Sequence, residues 1–256
     1  MIILQQTRGV LSSWLDADAR TYISAVEAAD GQVLETETRI AINAFVKGCK
    51  SDGIWNAIKA SCILAGARTL SGALLPLCGT APTNYNFVSG DYNRKTGLIG
   101  NGSTKYLASN RNNIADPQNN RHKSVFTTQV SSVNGAYIGA GTNHTGSDHI
   151  RRAASLFARS VSAATFAHSK PVASVGFYGV SRNTSASFQF RANGVTETFI
   201  NESETPFSQN NTVFGRIEAA ESSGRLTFYS IGESLNLSLL NSRVSTLMTS
   251  INSAIP

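Results

Sequence analysis

The sequence predicts an α+β fold that is mostly β: an N-terminal helical region over residues 1–80, an antiparallel β-sandwich or barrel over residues 81–256, and a helix that closes the chain. Three observations predict it. Apolar residues recur at helical spacing in the first third. From about Thr80, short runs rich in Phe, Tyr and Val alternate with Gly, Asn, Ser and Thr. The last twenty residues then return to a helical stripe. The 256 residues are ample for a hydrophobic core, and 41% hydrophobic against 15% charged is the reverse of a disordered composition.

The first helix is expected after Asp16, a side chain suited to capping, with Tyr22, Ile23 and Val26 on one face and Asp30-Gly31 as the stop. A second runs from about Thr36, carries Ile42, Phe45, Val46 and Cys49, and ends at Ser51-Asp52-Gly53. A third is expected next, with Ile54, Trp55, Ile58 and Cys62 on one stripe. Such segments cannot bury their stripes alone, so they must pack together or on a neighbour. Trp14 and Trp55 read as core anchors.

In the second region the clearest strand is Ser187–Arg191, apolar and polar by turns, followed by the hairpin signal Asn193-Gly194 and a return strand from Val195 to Ile200. That register sets Phe188 opposite Phe199 on a shared core face. It also sets Glu197 opposite Phe190 on the same face, which requires a bulge or a sheet edge. Further strands are expected at Ser124–Val130, Ala136–Ala140, Val172–Val180, Thr212–Ile217 and Arg225–Ile231. The closing helix carries Leu240, Val244, Leu247 and Ile251, with Ser234 as its expected cap.

Chemistry is sparse. No G-x-S-x-G, H-E-x-x-H, P-loop or helix-opening G-x-G-x-x-G occurs. His144, Asp148 and His149 lie close together in a Gly/Ser-rich stretch that reads as a solvated loop, not as a zinc site. Only three carboxylates fall in residues 81–195, a scarcity that argues against a glycosidase, which generally needs two acids flanking the bond it cuts, and Glu197, Glu202 and Glu204 read as a polar rim. No catalytic residue, metal or cofactor is therefore expected. Cys49, Cys62 and Cys78 read as reduced, buried thiols. The opening residues do not read as a secretory signal, and no stretch is apolar enough to suggest a membrane helix.

Charge is unevenly placed. Residues 81–195 hold twelve basic side chains against those three acidic ones, within a chain of net charge +6. Arg121, Lys123, Arg151, Arg152 and Arg159 form a basic stretch that is the candidate contact for an anionic partner. Nucleic acid is an unlikely partner, because no RNP or KH motif accompanies Arg121-His122-Lys123 or Arg151-Arg152.

Two segments resemble the laminin-G-like, concanavalin-A-like jelly roll. Gly97-Leu98-Ile99-Gly100-Asn101-Gly102-Ser103-Thr104-Lys105-Tyr106-Leu107 is similar to its opening strand-turn-strand, with Ser103, Thr104 and Lys105 where acidic residues are common. Gly224–Leu235 is similar to its last strand and the polar helix start that follows. The stretch from Ala17 to Gly66, with Cys49-Lys50-Ser51-Asp52-Gly53-Ile54-Trp55, and the continuation Gly79–Phe87 resemble virion structural proteins of tailed bacteriophages. The resemblance implies a virion component, assembled in the host cytoplasm, that binds and does not catalyse. Its helices would dock on other virion subunits, and its sandwich, as part of a tail fibre or receptor-binding part, would meet host-surface polysaccharide. A homo-oligomer, trimer or higher, is implied as well. The runner-up is a capsid-decorating or tail-joining protein without a ligand, and the third reading is a polysaccharide-degrading enzyme.

Overall fold

The computed structural model describes residues 14–141, 145–168, 174–192, 194–215 and 220–256. His144 and Asn193 lie outside them, as do residues 172–173 and 216–217 of two expected strands. Helices α1 (Ala17–Asp30) and α2 (Thr36–Ser51) form where the periodicity places them. The Asp16 carboxylate accepts a hydrogen bond from the Asp18 N–H, and Gly31 ends α1 at φ 63°, a left-handed conformation that costs glycine nothing.

The expected third helix does not form. Trp55–Ala57 makes one 3-10 turn, and Ile58–Ile63 is strand β1. Ala60 and Cys62 face one core while Ile58 and Ile63 face another, so the strand is apolar on both sides and mimics a helical stripe. A short helix α3 (Leu70–Ala73) follows, its first turn held by Asp30, whose carboxylate accepts from the Thr69 N–H and hydroxyl.

The remaining strands, in chain order, are β2 (Pro76–Cys78), β3 (Thr83–Tyr85), β4 (Tyr92–Asn93), β5 (Gly97–Ile99), β6 (Tyr106–Asn112), β7 (Arg121–Gln129), β8 (Gly135–Ala140) and β9 (Ser147–Arg152). After them come β10 (Leu156–Ser162), β11 (Phe166–Ala167), β12 (Gly176–Arg182), β13 (Ser187–Ala192), β14 (Val195–Ile200), β15 (Asn210–Val213) and β16 (Arg225–Gly232). They build a jelly-roll sandwich of two antiparallel sheets. The first runs β14-β13-β12-β7-β16-β1-β2, with β5 also on β16 and β4 on β5. The second runs β11-β10-β9-β8-β15-β6-β3. Two strands of the first sheet, β1 and β2, thus come from within residues 1–80.

Two cores result. Tyr178, Val180, Tyr229 and Ile231 point between the sheets, while Phe177 and Phe228, one residue out of phase, point to the helices. Helix α4 (Leu237–Ala254) lays Leu240, Val244, Leu247 and Ile251 into that second core, beside α2. Its cap is Asn236, not Ser234: Asn236 accepts from the Ser238 and Leu239 N–H groups, while the Ser234 hydroxyl donates to Asn120. Arg243 on α4 clamps Asp52 at the end of α2 with bonds of 2.7 and 2.8 Å.

Of the two tryptophans expected as core anchors, Trp14 is not one, while Trp55 packs against the edge of the helical core. Trp14 is 39% exposed, and Trp55 is half-buried at the periphery with its indole N–H donating to the Asp18 carboxylate. The hairpin register is as expected, Phe188 opposite Phe199 and Phe190 opposite Glu197. The edge position of β14 resolves the conflict there, since Glu197 stays partly exposed and lies 3.8 Å from the His168 ring.

Candidate functional site

Helices cover the outer face of the first sheet, whereas no residue of the second sheet belongs to the helical core. Among the described residues no helix packs on the second sheet's outer face, yet His149 (0% exposed) and Arg159 (6%) are buried there, which leaves Arg151, Phe157, Tyr85 and Tyr106 to meet a partner. Alternation decides which side chains turn to that face. Along β9, Asp148 and Ile150 turn inward, so His149 and Arg151 turn outward; along β10, Ala158 and Ser160 turn inward, so Phe157 and Arg159 turn outward.

Cross-strand pairing then joins these four. Arg151 sits opposite Phe157 with its guanidinium 4.9 Å from the ring centroid, a cation–π contact that leaves the cation half-exposed. Arg159 sits opposite His149 and donates through Nε to the Thr165 hydroxyl at 2.5 Å. Burial lowers the pKa of both guanidiniums, and for Arg159 the neighbouring Arg151 charge lowers it further. At the far edge of the same face, Tyr85 on β3 and Tyr106 on β6 are register partners whose rings stack at 4.4 Å and 12°. Tyr85 is 41% exposed. A flat aromatic surface of this kind suits the C–H face of a sugar ring, and a guanidinium donates hydrogen bonds to carboxylate or sulfate oxygens.

The five basic candidates do not form one surface patch. Arg151 and Arg159 lie on the outer face; Arg152 has the opposite phase and is half-buried at the strand end. Arg121 and Lys123 are corrected outright, each 1% exposed inside the sandwich. The reason is their strand: β7 is central in the first sheet and covered on both faces, so Arg121, Lys123 and Val125 share the inward phase. Both cations meet Asp148 Oδ2, Arg121 Nε at 3.1 Å and Lys123 Nζ at 2.5 Å. Asn113 Oδ1 accepts a further bond from Lys123 at 2.8 Å. Burial pulls the Lys123 pKa down to about 8, against the opposing effect of Asp148. Asp148 and His149 consequently face opposite sides of their sheet and cannot share a metal ion. Among the described residues no group of three or more His, Cys, Asp and Glu is arranged to hold one.

A buried hydroxyl–imidazole network lies on the helical side of the first sheet. His122 Nδ1 lies 2.6 Å from the Glu233 carbonyl, to which it donates, so the neutral ring's Nε2 accepts from Ser230 Oγ at 2.9 Å. Ser230 Oγ in turn accepts from Ser124 at 2.7 Å. Burial drives the His122 pKa down from 6.5 to about 4. Between those values the unfolded chain takes up a proton that the native ring refuses. The ring's contribution is thus complete above pH 6.5 and is lost as pH falls through 4, by about 3 kcal/mol. Urea midpoints measured from pH 7 to pH 4 should fall accordingly, and His122→Asn should flatten that slope. The cysteines are free, with burial raising Cys49 and Cys62 to about 12 and Cys78 to about 11.

No family model matches the chain, and no curated protein shows significant similarity to it. Among solved structures it is similar to domain 4 of AbnA, a GH43 extracellular arabinanase from Geobacillus stearothermophilus, in complex with arabinotriose. That match has 13% identity over 65% of this chain and 82% of the other, with a TM-score of 0.41. It is also similar to a mutant Trypanosoma rangeli sialidase displaying trans-sialidase activity, at 12% identity over 81% of this chain, with a TM-score of 0.42. A third is the HCR/D W1238A mutant, at 12% identity over 73% of this chain, with a TM-score of 0.45. This chain spans 39% and 52% of the latter two.

Proposed function

We propose that the chain is an adhesion component of a tailed-bacteriophage particle, part of a tail fibre or receptor-binding assembly, that binds anionic host-surface polysaccharide without cutting it. The observation that carries this reading is the second sheet's outer face: no helix is packed on it, and it presents the half-exposed Arg151 over Phe157 at one end and the stacked Tyr85 and Tyr106 at the other. Aromatic rings supply a platform for sugar faces, and the half-exposed Arg151 guanidinium favours acidic sugars. A shallow face binds weakly, so many copies per particle, each a trimer or higher oligomer, would supply the avidity.

The test is retention of the assembled oligomer on acidic and neutral glycans. Acidic glycans should be held preferentially, and binding should weaken with salt. Arg151→Ala should lower retention of the acidic set by about tenfold, the size expected for losing a charged contact. Tyr85→Ala should lower both sets. Binding that is absent for every glycan, or equal for Arg151→Ala and wild type, overturns the reading, and release of reducing ends replaces it with an enzyme.

A capsid-decorating or tail-joining role without a ligand is the second reading. It is favoured by the apolar side chains that the helical region leaves exposed, Trp14, Val33, Ile40 and Leu239. Imaging of particles separates the two, with distal tail positions supporting attachment and head-shell positions supporting decoration.

A further inference from the structure

We infer that the closed end of the sandwich between β7, β12, β9 and β10 is a binding site for one small monovalent anion of the size of chloride. Two register pairs define the place. Arg121 on β7 stands opposite Arg182 on β12, and Asp148 on β9 stands opposite Ser160 on β10. Contacts across the gap bring the pairs together: Arg121 reaches Asp148 at 3.1 Å, and Arg182 Nε donates to the Ser160 carbonyl at 2.9 Å. Arg121, Lys123, Arg182 and Asp148 are each at most 1% exposed.

The charges do not balance. Three cations share one carboxylate, and the neighbouring Asp116 is taken by Arg111 at 2.5 Å. His122 belongs to the opposite face of β7 and is held between Glu233 and Ser230. In Arg182, Nε is taken by the Ser160 carbonyl, Nη1 donates to the carbonyls of Thr184, Ser185, Ser187 and Asn201, and the guanidinium lies 5.4 Å from the Phe188 ring, which leaves Nη2 over. Among the described residues, Arg121 Nη1, Arg182 Nη2 and Ser160 Oγ have no hydrogen-bond partner. Buried donors of this kind are costly to leave unmade, and charged ones more so. One acceptor, Asp148 Oδ1, also lacks a partner, which makes water the competing occupant. Water matches donors to that acceptor but leaves two excess positive charges in place. A monovalent anion answers the donors and halves the excess charge.

The site does not depend on any glycan. It is tested on the whole chain at neutral pH by replacing sodium gluconate with sodium chloride at constant ionic strength. The melting midpoint should rise with chloride and saturate, gaining about 5–10 °C once chloride reaches about a hundredfold its Kd. Crystals grown in bromide should show an anomalous peak within hydrogen-bond distance of Arg121 Nη1 and Arg182 Nη2. Arg182→Met, which removes one cation and one free donor, should abolish the chloride dependence. The bromide experiment needs no variant, so a misfolded Arg182→Met leaves the inference testable. A chloride titration without a rise, or bromide crystals with only water there, overturns it.

Discussion

Asp148→Asn is expected to be among the most damaging single substitutions in the sandwich. The amide keeps the shape of the side chain but removes the one carboxylate that Arg121 and Lys123 both touch. Breaking a buried ion pair from one side leaves uncompensated charge in a medium that solvates it poorly, and typical losses are about 3–5 kcal/mol. Urea unfolding at pH 7 measures it. A second substitution, Lys123→Met, made in the Asp148→Asn background should recover part of the loss, because it removes one stranded cation. A loss below about 1 kcal/mol, within the range of ordinary surface changes, would mean that the cluster is solvated.

Phe228→Ala is expected to cost a similar amount through a different mechanism. Phe228 is fully buried on the helical side of β16 and meets Phe45 of α2 edge-on at 5.7 Å. Truncation removes the apolar contact and leaves a cavity between the helices and the first sheet, for which Phe→Ala changes cost about 3–5 kcal/mol. Because the helices and β1 belong to one continuous chain built into that sheet, calorimetry should still show a single transition at lower temperature. Two separated transitions would show that the helical layer and the sandwich are energetically independent.

The elements that announced themselves had one buried face. Helices α1 and α2 and the hairpin of β13 and β14 each carried a single period, and the sequence reading placed them within a residue or two. The strand β1 did not, because residues buried on both faces lose the alternation that marks a strand. The basic candidates failed for a related reason. Starting β7 at Ser124 hides the phase that Arg121 and Lys123 share with Val125, and starting at Arg121 makes that phase inward. Nothing local announces that Asp148 lies across the gap, since a salt bridge between sheets is set by topology. Nothing local pairs Tyr85 with Tyr106 either, since the β3–β6 register is what joins them.

One pairing has a consequence for how this protein is made. Strand β1 lies between β2 and β16, so it completes its hydrogen bonds only against a strand more than 150 residues later in the sequence. During translation the growing polypeptide must hold Ile63 and its neighbours without their partner until Arg225–Gly232 has been synthesised. Closure of so distant a pair is slow. A ribosome that stalls before Arg225 would release a nascent product with an open sheet margin, the kind of surface that recruits chaperones or sticks to its own copies.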